Sequence, residues 1–204
     1  MIRFMRTALS SALALAMAGC VTVLPKEKPV QLYRFGYSTV TTSNAGARTP
    51  VMLTGVNLPA AARGDGILTI NGGQAAYIAG GRWVSPAAVL FQEAAMVGLE
   101  AYAPHVRIVR SGEPGVALRT RIDVRRFETV YEGDVPTVVI QSVVQVSNTS
   151  GAVVAERSLS VSGRASANRV AAIVTAYDKA VADTLRQAGE MVEAVAIRSA
   201  LSSK

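Results

Sequence analysis

The residue types that carry most enzyme and metal chemistry are scarce in this chain. Its 204 residues include one cysteine, Cys20, and one histidine, His105. A metal site needs several histidine, cysteine or carboxylate ligands that converge. A serine triad would have to use His105, and the sequence has no G-x-S-x-G turn for the nucleophile. One cysteine cannot form an internal disulfide. We therefore predict no metal site, no cofactor and no catalytic residue.

Carboxylates are the remaining groups that could act as general acids and bases. Glu93 and Glu100 lie seven residues apart in one predicted helix, and Asp178 and Asp183 lie in another. All four fall on helix faces that the pattern predicts to be exposed to solvent, so we expect these carboxylates to be solvated rather than to take part in acid–base catalysis. The glycine-rich stretches contain no G-x-x-x-x-G-K-[ST] pattern for binding phosphate. The sequence therefore predicts that the protein is not an enzyme.

The N-terminus has the composition of a bacterial secretory signal. Two arginines, Arg3 and Arg6, precede an uncharged run from Thr7 to Ala18 that is mostly alanine, leucine and methionine. The run has 12 residues, and a helix needs about 20 apolar residues to span a bilayer. We therefore expect a cleaved signal rather than a permanent membrane helix.

The residues that close this signal, Met-Ala-Gly-Cys at positions 17–20, resemble the lipobox of bacterial lipoproteins. The resemblance implies that Cys20 takes a diacylglyceryl group, that cleavage follows residue 19, and that the new N-terminus is acylated. Several acyl chains on one residue give a durable anchor. The position after the cysteine is Val21, and by resemblance to enterobacterial lipoproteins this favours the outer over the inner membrane.

The predicted organisation follows from these segments. Residues 1–19 form the lipoprotein signal peptide, residues 20–29 form an acylated tether with two prolines, and residues 30–204 form a single domain. Half of the chain is hydrophobic and 17% is charged, which is enough apolar material for a real core. The expected location is the periplasmic side of the cell envelope.

Arginines are concentrated in one stretch of a chain whose formal charge is +7. Nucleic acid is the usual partner of such a patch, but we expect none for a secreted lipoprotein without an aromatic stacking platform. Anionic lipid head groups or an acidic protein are the fitting partners. A solvated strand face with nearby acids is the other interpretation. The arginines are Arg107, Arg110, Arg119, Arg121, Arg125 and Arg126.

Alternation of apolar and polar residues, bounded by turn signals, predicts the strands. Residues 118–124 alternate most clearly, and Asn148 to Gly151 is a hairpin turn, so the last three strands should form an antiparallel meander. The glycines at 80 and 81 are expected to end the fourth strand. The predicted strands are 31–37, 50–58, 67–70, 74–79, 105–109, 118–124, 137–146 and 153–161.

Two long helices complete the predicted architecture. Ser85 is a natural N-cap and Pro86 suits the first helical position, and Pro104 ends that helix. A longer helix follows Asn168 and repeats apolar residues every three or four positions over residues 170–195. The predicted fold class is α+β, a two-layer sandwich of a mostly antiparallel mixed sheet covered by two long helices.

The order of several features resembles the ABC-type transport auxiliary lipoprotein family, which includes the lipoprotein of the paraquat-inducible Pqi system. These features are the lipobox, a tyrosine-rich first strand, a strand ending in Leu-Pro, and a C-terminal hairpin that leads into a long Ala/Val-rich helix. The most specific feature is Arg82-Trp83-Val-Ser-Pro86 at the start of a helix. The resemblance spans Tyr33 to Val192.

The resemblance implies a role defined by partners. It predicts a non-catalytic component of an ABC transporter whose substrate-binding protein has MCE domains and which moves lipids or related apolar solutes across the envelope. Apart from the resemblance, a homo-oligomer is a further partner arrangement that the sequence leaves open. Arg82, Trp83 and Pro86 serve either partner contact or packing, and for Trp83 we favour packing, since it precedes a helix start.

Two other functions stay open at this stage. The protein could hold a lipid itself, in a groove between a helix and the sheet. Alternatively, it could be a structural envelope lipoprotein that binds peptidoglycan or helps to assemble outer-membrane components, independent of any ABC transporter.

Overall fold

The computed structural model describes residues 29–36 and 48–202. The predicted signal peptide, the lipidation residue Cys20 and most of the predicted tether lie outside the described residues. The predictions for those segments therefore stay predictions.

Eight strands are present among the described residues, in the order predicted from the alternation pattern. The first is four residues shorter than expected and the fourth and sixth are four and six residues longer, while the bounds of the other five lie within three residues of those expected. The strands are β1 (Gln31–Tyr33), β2 (Thr49–Asn57), β3 (Gly66–Asn71), β4 (Gln74–Trp83), β5 (Val106–Val109), β6 (Leu118–Val130), β7 (Thr137–Asn148) and β8 (Val153–Arg164).

Strand β6 is the centre of the sheet and gives it three arms. One edge of β6 pairs with β7 along its whole length, and β7 pairs with β8. The other edge is shared: its first half pairs with β2, which leads to β5, and its end pairs with β3, which leads to β4 and β1. The two longest ladders are the antiparallel meander that the sequence predicts, whereas the pairings of β2 and β3 with β6 are parallel.

The end of β4 differs from the sequence prediction. Gly80 and Gly81 do not end the strand, which continues to Trp83. Gly80 takes a φ of +75°, which glycine adopts at little cost, and β1 then pairs in parallel with residues 81–83. The pairing partner, supplied from a distant part of the chain, extends the strand past its glycines.

Two helices, α1 (Ala87–Ala101) and α2 (Val170–Ser202), pack against the sheet and against each other. Every second residue of β6, from Leu118 through Ile122, is buried under them, so the predicted dry face of β6 is confirmed. The α+β class is thereby confirmed. None of the described helices is both long enough and apolar enough to cross a membrane.

One buried hydroxyl in this core lacks a hydrogen-bond partner. Ser142 in β7 is 2% exposed, and its Oγ has no partner. A buried polar atom without a partner costs about 1–3 kcal/mol relative to a paired one. We expect Ser142→Ala to raise the free energy of unfolding by about 1 kcal/mol, measured by urea denaturation. Ser160→Ala, at an exposed site of β8, is the control. A loss of stability in Ser142→Ala would show that the hydroxyl is paired.

Candidate functional site around Trp83

The residues singled out from the sequence, Arg82, Trp83 and Pro86, lie where β4 ends and α1 begins. Here β1 pairs with the last residues of β4, with Tyr33 opposite Trp83. The segment nearest the predicted lipid anchor therefore meets the predicted motif directly.

Five rings from five parts of the chain form one buried cluster, which we call the aromatic cluster: Phe35, Trp83, Phe91, Phe127 and Tyr177. Trp83 is 2% exposed, and its ring centroid lies 4.9 Å from that of Phe35 and 5.2 Å from that of Tyr177, both edge to face. Phe127 lies 4.8 Å from Tyr177 and 5.9 Å from Phe91. Such pairs add about 0.5–1.5 kcal/mol each beyond burial.

The hydroxyl of Tyr177 is the polar atom of this cluster. Thr129 of β6 donates a hydrogen bond to it at 3.3 Å, and both residues are 0% exposed. Burial raises the pKa of Tyr177 far above its usual value. The phenol therefore stays neutral and acts as a hydrogen-bonded packing group rather than as a proton donor.

The chain after β1 is held between the two helices. Phe35 is 1% exposed within the aromatic cluster. The next residue, Gly36, donates its backbone N–H to Asp178 of α2 at 2.7 Å. Gly36 has a φ of +78°, and a Cβ there would lie 2.5 Å from the Cβ of Ala94 in α1. The expected strand over 31–37 thus ends at Tyr33, because the chain turns inward to bury Phe35.

The start of α1 differs from the predicted serine cap. The N-cap residue is Pro86, and no side chain caps the helix. The first free amides are satisfied by the loop before β3 instead: Ala87 donates to the carbonyl of Gly64 at 2.9 Å and Ala88 to that of Arg63 at 3.2 Å. Backbone carbonyls therefore replace the expected Ser85 cap, and they fix α1 to this loop.

Arg82 lies on the opposite face of β4 from Trp83. Its Nη1 lies 3.1 Å from Oδ2 of Asp65, and both side chains are more than half exposed. Exposed pairs of this kind contribute about 0–1 kcal/mol. Trp83 is therefore buried and Arg82 exposed, although the two residues are neighbours in one strand.

Neighbouring acids pair with three arginines of the arginine-rich stretch, Arg107, Arg121 and Arg126. Arg121 pairs with Asp123 at 2.9 Å, and Arg126 pairs with Glu128 at 2.6 Å. Partial burial opposes ionisation of Asp123, but hydrogen bonds from Asn57 and Arg121 outweigh it and lower its pKa. The strand face with nearby acids is the interpretation that these contacts favour.

The candidate acid–base residues take part in structural contacts. Glu100 accepts the backbone N–H of Ile108 at 2.7 Å and pairs with Arg48, so it joins α1 to the β2–β5 arm. Glu193 of α2 contacts both the backbone N–H and the ring Nδ1 of His105. Within residues 29–36 and 48–202, no group of three potential metal ligands converges.

An apolar crevice lies between the two helices, but it is small. Its volume is 20 Å³, and it is bordered by Gly36, Val97, Tyr102 and Leu185. A cavity of about 10–15 Å³ holds one water molecule. The crevice is therefore far too small for an acyl chain in this conformation.

A comparison of the sequence with protein families shows the family to which the chain is related. The family described as the ABC-type transport auxiliary lipoprotein component matches residues 33–189, which include every member of the aromatic cluster.

The chain belongs to this family.

Solved structures agree with the fold of this auxiliary lipoprotein component. A Xanthomonas campestris protein aligns with a TM-score of 0.63 at 18% identity, covering 86% of this chain and 98% of that one. A crystal structure of an uncharacterized protein gives a TM-score of 0.64 at 14% identity, covering 81% and 99%. At these identities the likeness shows the fold alone. No curated protein matches the sequence.

The sequence predicted only part of the aromatic cluster. Sequence reasoning identified Trp83 but missed that Phe91, Phe127 and Tyr177 surround it, because they come from separate elements. Phe35 had a visible signal in the aromatic alternation of residues 33–37. Cys20 lies outside both the family match and the described residues, so its lipidation in this auxiliary lipoprotein depends on the lipobox.

Proposed function

We propose that this protein is a non-catalytic docking component of an MCE-type ABC transport system that moves lipids or related apolar solutes across the cell envelope. Acylated Cys20 holds it on the periplasmic side of a membrane, with the outer membrane favoured by Val21. Its partner is an MCE-domain substrate-binding protein.

The family match over residues 33–189 carries the proposal, since that family is the auxiliary component of ABC transport. The lipobox supports the anchor. The site supports a docking rather than a catalytic role, because its aromatic residues are buried in packing and its carboxylates hold backbone amides and arginines. A protein that works by docking needs a stable body and an anchor, and no reactive centre.

Cys20→Ser tests the anchor. A serine hydroxyl cannot form the thioether, so we expect the variant to leave the membrane fraction and to keep an unmodified mass. The measurement is fractionation of the envelope together with intact-mass analysis of the native protein and the variant. Ser10→Ala, within the signal but outside the lipobox, is the control and should stay acylated. A wild-type chain with an unmodified thiol would overturn the anchor.

The partner is tested by crosslinking in intact cells, followed by affinity purification of the tagged, lipidated chain. We expect an MCE-domain protein, identified by mass spectrometry, as the main crosslinked species, and its gene beside those of a permease and an ATPase. Purification of peptidoglycan fragments or of outer-membrane assembly proteins instead would favour the structural envelope function. The Cys20→Ser chain, absent from the membrane, should lose the crosslink.

Direct lipid binding is the second candidate function. The predicted groove between a helix and the sheet corresponds to an open groove of 660 Å³ between α1 and β2, which charged side chains of Arg34, Glu93 and Arg110 border. The crevice between the helices has a volume of only 20 Å³, so neither place resembles an enclosed apolar lipid site. Native mass spectrometry of the purified Cys20→Ser chain distinguishes the two functions. A stoichiometric bound lipid would favour a lipid carrier, and a lipid-free mass is the result expected for a docking component.

A further inference from the structure

We propose that the protein rests on the phospholipid surface through an apolar patch beside β1, so that its body takes one orientation on the membrane. The patch comprises Val30, Leu32, Tyr77 and Val84, and we call it the β1 patch. This inference depends on the proposed anchor at Cys20, because the anchor brings the patch to the bilayer.

The exposure of these residues is the first observation. The exposed fractions are 45% for Val30, 62% for Leu32, 57% for Tyr77 and 48% for Val84. Scattered exposed apolar residues are ordinary on protein surfaces, whereas a contiguous group marks a contact with a protein or a membrane.

The strand geometry places these residues together. Tyr33 and Trp83 lie opposite each other, and Trp83 is turned into the core. Side chains alternate along a strand, so Leu32, which precedes Tyr33, lies on the outer face of the sheet. Val84, the first residue after β4, donates its backbone N–H to the carbonyl of Tyr33 and so lies next to β1. Val30 and Tyr77 border one open groove of 520 Å³, which Arg82, the strand partner of Leu32, also borders.

The position of the β1 patch along the chain indicates that its contact is the lipid surface. The link from Cys20 to Pro29 spans at most about 30 Å, whatever its conformation. A body of this size has a radius of gyration of about 16 Å, so its diameter exceeds the reach of the link. The patch begins one residue after the link and therefore stays near the bilayer that holds the acyl chains. Because the anchor keeps the patch at a high effective concentration near the lipid, even a weak contact between the patch and the membrane is populated.

The chemistry of the β1 patch suits the head-group layer rather than the hydrocarbon. Tyrosine is enriched at that level, and Arg82 beside Leu32 has an aliphatic stem and a guanidinium that is paired with Asp65 and more than half exposed to the polar layer. The outer edge of β1 has no strand partner among the described residues. Its backbone groups need water, which the interface supplies and the hydrocarbon does not.

Fluorescence quenching by brominated lipid tests the orientation. The lipidated chain is reconstituted into vesicles of phosphatidylethanolamine and phosphatidylglycerol that contain phosphatidylcholine brominated near the head-group end of its acyl chains. Leu32→Trp reports on the β1 patch. Val154→Trp, 49% exposed at the start of β8, is the matched control. Trp83 is buried in both variants and gives the same background.

We expect brominated lipid to quench Leu32→Trp at least about twofold more strongly than Val154→Trp, because an interfacial residue lies close to the upper acyl chain. Equal quenching of the two variants would overturn the orientation. The orientation would also be wrong if the fluorescence emission of Leu32→Trp were blue-shifted without being quenched by brominated lipid. A protein rather than the lipid would then cover the patch. Tyr77→Trp repeats the test if Leu32→Trp fails to fold.

The anchor and the orientation fail separately. Intact mass reports whether Cys20 is acylated. If it is not, the proposed anchor fails, and coupling the same thiol to a maleimide lipid still tests the β1 patch on the vesicle. If Cys20 is acylated and the quenching is equal, the anchor stands and the orientation is wrong.

Discussion

Replacing Trp83 with alanine is expected to lower the free energy of unfolding by about 3–5 kcal/mol, the usual cost of removing a buried tryptophan. The indole is 2% exposed and contacts the rings of Phe35, Phe127 and Tyr177. These residues come from three other parts of the chain, so no single neighbour can move in to fill the cavity. Urea denaturation followed by circular dichroism measures the loss.

Val84→Ala is the control for this prediction, because Val84 is the next residue and is 48% exposed. It should change the stability by no more than about 0.5 kcal/mol. The alternative role of Trp83, direct contact with a partner, predicts a different pattern. If Trp83→Ala kept its stability and lost the crosslink to the MCE-domain protein, the packing role would be wrong.

Gly189→Val is expected to lower the free energy of unfolding by about 3 kcal/mol, the upper end of the usual cost of overpacking. Gly189 lies where α2 crosses the end of α1. A Cβ there would lie 2.8 Å from the Cβ of Tyr102 and 3.2 Å from the backbone oxygen of Leu99. Neither atom is the end of a flexible side chain, so the two helices would have to separate.

Helix propensity works in the opposite direction, since valine suits a helix better than glycine does. A loss of stability in Gly189→Val therefore reports on the helix crossing. Ala194→Val introduces the same side chain at an exposed position of α2 and should cost no more than about 0.5 kcal/mol. Equal stability of the two variants would show that the helices adjust freely at Gly189.

The structure connects the proposed anchor to the core of the fold. A pull on the chain from Cys20 would act on β1 and then on Phe35 and Gly36, which are fixed by the aromatic cluster and by Asp178. Trp83 lies next to this connection. Trp83, whose ring packs on that of Phe35, therefore helps to hold the segment through which the membrane would act on the body.

The sequence by itself determined the features that depend on neighbours along the chain. Alternation in residues 118–124 identified the dry face of β6, and Asn148 to Gly151 identified the hairpin between β7 and β8. Apolar spacing identified both helices, and the order of short motifs identified the family. Each of these signals lies within a few residues or a few turns, where local geometry decides the structure.

The tertiary structure decided which distant segments meet. The parallel pairing of β2 and β3 with one edge of β6 leaves no local signal, because the partners are far apart in the chain. Pairing with β1 carries β4 past Gly80, and loop carbonyls take the place of a Ser85 cap. The aromatic cluster and the β1 patch likewise exist only after folding, since hydrogen bonding between strands and burial of side chains depend on proximity in space rather than in sequence.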